Sequence, residues 1–133
     1  MANNMLRVMF DTNVLISAVF NPNTAPAKSV KLAGTNHRLV LCDYVIEECR
    51  EVIKRKFPHR SELFETLLAE TNLEIFTGDA PYSFPISDHK DQPILDAAVA
   101  ASVDVLISGD KHFTNLGIKR PVICAPAQFL ESY

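Results

Sequence analysis

Five short apolar runs limit the fold more than any other feature of this 133-residue chain: LRVMFD, HRLVLCD, LEIF, VDVLIS and PVICA. Each is rich in β-formers and too short for a helix, and several are apolar on both faces. A strand that does not alternate polar and apolar residues is covered on two sides, as in a parallel sheet. The stretches between them have helical length or period. TNVLISAVF follows the first run, and a Pro22-to-Pro26 break leads into a helix at about 27–34, with Gly34 as its stop. Further helices are predicted over about 44–56, over 61–71 beyond Pro58, over the Ala-rich stretch 91–102, over KHFTNLG and over 126–131. The Gly-Asp-Ala-Pro region through Pro85 reads as loop.

Strands alternating with helices predict an α/β fold, a doubly wound sandwich around a mostly parallel central sheet. The chain shows no internal repeat, low-complexity tract or Gly/Ser linker, so residues 1–133 are expected to form a single domain. A domain of this length buries roughly two-thirds of its unfolded surface and needs no disulfide or zinc to fold. Cys42, Cys49 and Cys124 are odd in number and lack CxxC pairing, which suits buried thiols. No apolar run approaches the ~18–20 residues of a membrane span. The N-terminal stretch also lacks the apolar block and cleavage site of a signal peptide, so a cytoplasmic protein without membrane attachment is expected.

In doubly wound sheets, sites form at the carboxyl ends of the strands, near the point where the strand order reverses. Two of the runs end there in aspartate, Asp11 after VMF and Asp110 after VLISG. Each precedes a helix, so each can be an N-cap. Placed together at one sheet edge, however, they repel unless a cation sits between them. Asn13 and Ser108 are small polar neighbours able to orient a carboxylate or a bound water. On the third helix, Val45, Ile46, Cys49, Val52 and Ile53 share one arc at ~100° per residue. Glu47 and Glu51 project away from that arc, whereas Glu48 lies at its margin and is the candidate over Glu47. On the Ala-rich helix, Asp91 falls within the arc of Ile94, Leu95, Ala98 and Ala101, and Asp96 points away from it. Asp91 either caps its own helix or joins a cluster of acids. Asp88, ahead of it, reads as a cap or a secondary acid.

Asp11, Glu48, Asp91 and Asp110 can therefore converge at one end of a sheet. Oxygen ligands without Cys or His favour Mg²⁺ or Mn²⁺ over zinc. A carboxylate-lined divalent site suits displacement at phosphorus. The net charge of −3 excludes a protein that coats nucleic acid by bulk positive charge. The densest basic stretch, Lys54, Arg55 and Lys56 with His59 and Arg60, reads first as a solvated helix end. Lys111 is the better candidate for contacting a phosphate group, because Asp110 fixes it beside the proposed site, with His112 next to it. Tyr82 and Phe84 can stack a base or simply pack.

At these residues the sequence resembles the PIN-domain family, most closely its branch of toxins from toxin–antitoxin systems. FDTNVLISAVF is similar to the family's first-strand motif, whose aspartate is a metal ligand. VIEECREVI resembles its glutamate-bearing helix and maps the acid onto Glu48, with Cys49 replacing the usual leucine. DHKDQPILDAAVAASVDVLISGDKHF resembles its most recognisable stretch and maps the third and fourth acids onto Asp91 and Asp110. The resemblance implies a Mg²⁺- or Mn²⁺-dependent ribonuclease in which these four acids hold one or two ions. It further implies RNA as substrate, a cognate antitoxin as partner and a homodimer, with Asn13 and Ser108 supporting the site. A dehalogenase-like phosphatase would need an aspartate where Asn13 stands. The rival of another class is a non-catalytic RNA- or protein-binding module, whose acids would only cap helices or meet a partner's basic segment.

Overall fold

Val8, Met9 and Phe10 have no exposed surface, and a strand with both faces covered belongs at the centre of a sheet. The computed structural model describes residues 5–133 and places β1 (Arg7–Phe10) there. It is followed by α1 (Thr12–Phe20), α2 (Ala25–Asn36), β2 (Arg38–Cys42), α3 (Asp43–Lys56), a 3-10 turn at Pro58–Arg60 and α4 (Ser61–Glu70). Then come β3 (Leu73–Phe76), α5 (Gln92–Ala100), β4 (Val105–Ile107), α6 (Lys111–Thr114), β5 (Val122–Cys124) and α7 (Pro126–Ser132).

The strand order is β3-β2-β1-β4-β5, and all four pairings are parallel, so the mostly parallel expectation sharpens to an entirely parallel sheet. The chain lays strands outward from β1 to β3, then returns to β1's other side with β4. The reversal falls between β1 and β4, where the connections leaving two neighbouring strands diverge and open a crevice. The edge strands are less buried, with Ile75 of β3 and Val122 of β5 exposed. The core runs from the sheet into the helices through Leu15, Val30, Val45, Ile53, Phe64, Leu95, Phe113 and Phe129. No helix among the described residues is long and apolar enough to cross a membrane.

Two boundaries differ from expectation for a physical reason. Gly34 does not stop α2, which continues to Asn36. A Cβ at Gly34 would lie 3.0 Å from Thr71 Cγ2, so the glycine lets the helix approach the end of α4 rather than terminating it. Asp91 does not lie within α5. It is the N-cap residue, with Pro93 in the first turn behind it. All three cysteines are buried and free, as expected.

Candidate active site

The Asp11 backbone N–H donates to Ile107 O at 3.1 Å, which fixes the C-terminal end of β1 against that of β4. The Asp11 side chain is 5% exposed. Its Oδ1 accepts from Val14 N at 2.9 Å, capping α1, while Oδ2 accepts a short hydrogen bond from Ser108 Oγ. Fully buried Ser108 in turn accepts from Asp110 N at 3.0 Å. One hydroxyl thus ties together the segments after β1 and β4. Capping and clustering are therefore not exclusive for Asp11. Asp110 likewise caps α6, its Oδ1 accepting from His112 N at 2.8 Å, with His112 Nδ1 at 3.1 Å.

Glu48 and Glu47 separate cleanly. Glu48 Oε1 accepts from the hydroxyl of buried Thr12, directly beside Asp11. Glu47 is exposed and pairs with Arg50 at 2.7 Å. Asp91 makes no side-chain capping bond, and among the described residues its buried Oδ2 has no hydrogen-bond partner, with His112 Nδ1 3.9 Å away. Asp88 accepts from Lys90 N at 3.0 Å and, through its carbonyl, from Asp91 N. It braces the turn ahead of α5 rather than capping that helix. Ligand atoms of Asp88, Asp91 and His112 all lie within 4.8 Å of one another.

The electrostatics are those of a crowded carboxylate site. Burial holds the Asp11 carboxyl above its ordinary pKa, partly offset by the Ser108 and Val14 hydrogen bonds and reinforced by Asp110 and Glu48. Burial, with the charges of Asp110, Asp88 and Asp11, pushes Asp91 up to about 6, and His112 opposes this. Among the described residues no lysine or arginine forms an ion pair with Asp11, Glu48, Asp91 or Asp110. An unpartnered buried carboxylate oxygen among further acids, with oxygen donors dominating, fits a hard divalent cation.

Asn13 is exposed in the first turn of α1 and lines a cleft of about 410 Å³ together with Asp11, Ser17, Gly109 and Asp110. Lys111 is exposed at the start of α6 and makes no side-chain hydrogen bond or ion pair among the described residues. Arg60 packs against Phe20, 5.5 Å over its ring, and Lys54 to Lys56 form the exposed end of α3. Tyr82 and Phe84 are both exposed, Tyr82 to 68%.

Asp96 corrects the helical-wheel expectation. It is 9% exposed, not turned away from the interior, because the 77–91 loop covers that side of α5. Its Oδ1 accepts from Ser83 N, Ser83 Oγ and Gln92 Nε2 at 2.9, 2.7 and 2.9 Å. Thr12 went unnoticed in the sequence, although a hydroxyl directly following a strand-end aspartate is the available signal. The thiol of Cys49, donating to Thr12 O at 3.7 Å, is held in its protonated form by burial.

A parallel α/β sheet with carboxylates gathered at its switch point defines the class of protein. A PIN domain family model matches residues 7–112, and the chain belongs to that family. Among solved structures, VapBC2 from Rickettsia felis bound to a DNA fragment from its promoter aligns with a TM-score of 0.63 at 16% identity, covering 90% of this chain and 97% of that one. DNA-bound VapBC from Salmonella typhimurium aligns with 0.64 at 16%, with the same coverage. A domain of a functionally unknown protein from Methanocaldococcus jannaschii aligns with 0.57 at 18%, covering 90% and 89%. At these identities the likeness is one of fold. No curated protein matches the chain.

Proposed function

We propose that the chain, residues 1–133 as one PIN domain, is a divalent-metal-dependent ribonuclease that hydrolyses RNA phosphodiester bonds. The observation that carries this proposal is the group of carboxylates at the β1–β4 switch point that no lysine or arginine neutralises among the described residues, with one Asp91 oxygen buried and without a hydrogen-bond donor. Asp11, Glu48, Asp91 and Asp110 would hold Mg²⁺ or Mn²⁺. When bound, the ion supplies Lewis-acid neutralisation of phosphate charge and a more acidic water.

The chain's own residues supply the positioning. Ser108 and the Val14 N–H hold Asp11 in one orientation, so its carboxylate needs no rearrangement to act. Thr12 holds Glu48 through one oxygen. Asn13 lines the cleft beside Asp11 and Asp110, where a ribose or phosphate oxygen can meet its amide. Lys111, unpaired and one residue beyond Asp110, is suited to a phosphate. The VapBC neighbours support a cognate antitoxin as partner, and with it the role of toxin in a cytoplasmic toxin–antitoxin pair. A homodimer belongs to the same proposal.

The test is cleavage of structured and single-stranded RNA with Mg²⁺ or Mn²⁺, wild type beside Asp11→Asn. Metal-dependent cleavage lost in the variant is expected. Equal activity in both proteins would point to a contaminating nuclease and sink the proposal. No cleavage by a folded wild type leaves the non-catalytic module.

A further inference from the structure

The acid centre occupies one end of α1 and α3, and the far end of the same two helices carries the opposite charge. Both helices leave the C-terminal edge of the sheet, where Thr12 of α1 meets Glu48 of α3. Beyond their last turns they meet again, the Phe20 and Phe57 rings packing edge to face at 4.6 Å between centroids. Around that contact, residues 54–60 gather Lys54, Arg55, Lys56, His59 and Arg60 without a carboxylate, in a chain of net charge −3. All but Arg60 are exposed, and none forms an ion pair among the described residues.

The helix macrodipole accounts for cations in the last turn of α3. It does not account for His59 and Arg60, which lie beyond that helix, or for the open ring set among the charges. Phe57 is 39% exposed, and Arg60 lies 5.5 Å from the centroid of the neighbouring Phe20 ring. Cations that follow a phosphate backbone, joined to an aromatic ring that receives a base, are the two parts of a surface for single-stranded nucleic acid. An acidic polypeptide would need the cations alone.

The way from this patch to the acid centre carries no carboxylate along α1. That helix has no charged side chain, and Asn13, Ser17 and Asn21 stand exposed at every fourth position from its first turn to its C-cap. Asn13 and Ser17 line the cleft that holds Asp11 and Asp110. On α3, Glu48, Val52 and Arg55 follow at i, i+4 and i+7, so the stripe that starts at the acid ends at a cation. From Thr12 to Phe20 the helix rises about 12 Å at ~1.5 Å per residue, a reach of about three to four stacked nucleotides.

We propose that the far ends of α1 and α3 form an anchoring surface for single-stranded RNA, holding the strand that flanks the cut a few nucleotides from the acid centre. The inference rests on the nuclease proposal above. Lys54, Arg55 and Lys56 meet phosphates, Phe57 receives a base, and the neutral stripe of α1 lies under the strand between the two sites.

The test measures anisotropy of a labelled oligouridylate of about twelve nucleotides on the full chain in EDTA, over a range of salt. A variant with Lys54→Gln, Arg55→Gln and Lys56→Gln, all at exposed positions, should bind roughly tenfold more weakly. Its slope of log affinity against log salt should flatten by about 2, the loss of three contacts to a single strand. Phe57→Leu, which keeps an apolar side chain against Phe20, should weaken binding about fivefold through the lost stack. Wild-type affinity and slope in the triple variant overturn the surface. Polyglutamate bound by the wild type as tightly as the RNA identifies an acidic polypeptide as the partner and overturns it too. With Mn²⁺, kcat/KM for the long substrate should exceed that for one of about three nucleotides, too short to span from the cut to the patch, and the triple variant should lose that preference. Salt-dependent binding that the triple variant loses, without cleavage of either substrate, supports the surface and overturns the nuclease. Cleavage indifferent to length and to the triple variant overturns the surface and leaves the nuclease standing.

Discussion

The two ends of the sheet handle negative charge in opposite ways. At the N-terminal end, Glu74 of edge strand β3 receives both terminal nitrogens of Arg7 at 3.0 and 2.7 Å, with Arg38 at 3.6 Å. Asp104 there accepts from Arg7 N at 2.8 Å and pairs with Arg120 at 3.0 Å. At the C-terminal end, hydroxyls, backbone N–H groups and one histidine are the partners of Asp11, Glu48 and Asp110, and the inner oxygen of Asp91 has no hydrogen-bond donor among the described residues, only the same histidine's Nδ1 at 3.9 Å. Arginine holds Glu74 below its ordinary pKa, whereas burial and neighbouring acids hold Asp11 and Asp91 above theirs. An acid whose partner is built into the fold contributes to stability. One left without a cation costs stability and keeps a place for a ligand.

This contrast can be broken from either end. The largest expected effect is on activity: Asp11→Asn should lower metal-dependent RNA cleavage by roughly 10²–10³-fold or more, measured in single turnover, while Arg7→Met leaves it unchanged. Next comes metal binding. Mn²⁺ at a hundred times its dissociation constant should stabilise the protein by about 2.7 kcal/mol, seen in thermal melts and reversed by EDTA. No shift at millimolar Mn²⁺ would count heavily against the acid centre as a metal site. In the same assay Arg7→Met should reduce stability by about 1 kcal/mol or less, since both partners are partly exposed and water screens the pair.

The pH dependence sharpens the comparison. The folded-state pKa of Asp91, about 6, lies above its ordinary value of 3.8. The stability linked to that proton is therefore full below about 4 and lost as pH rises through about 6. Glu74 has the opposite sign, because its folded pKa is lowered from 4.5. Its contribution is present above that value and lost as pH falls below it. In EDTA, wild type should thus melt lower at pH 7.5 than at pH 5, and Asp91→Asn should flatten that difference. The variant's gain at pH 7.5 should be on the order of a few degrees. A variant that melts lower than wild type at pH 7.5 would remove Asp91 as a source of strain.

Much of this architecture is legible in local sequence. Runs such as LRVMFD have no helical period and no polar face, so they can only be covered strands, and TNVLISAVF has the bounds of α1. The wheel separates Glu48 from Glu47 because α3 has one buried side and a solvated opposite side. The same method fails on α5. There a loop folds back over the second side, and the partner of Asp96 is Ser83, thirteen residues upstream. Gly34 misleads for a related reason: its neighbour across space, Thr71, is invisible to a local stop signal. Which of the acids come within reach of one another depends equally on strand order, and local pattern does not encode that order.

The hydroxyl that steadies Asp11 arrives 97 residues later in the chain. During synthesis the ribosome releases β1, β2 and β3 long before β4, so a growing chain can pair its first three strands while Asp11 still lacks Ser108 and Asp110. The centre comes together only when β4 docks at the far side of β1, a contact whose sequence separation makes it a slow event in folding. An unfinished or truncated copy therefore carries the first acid of the site without the second wall. The order in which the strands are made, different from the order in which they lie, withholds the candidate site until β4 has been made.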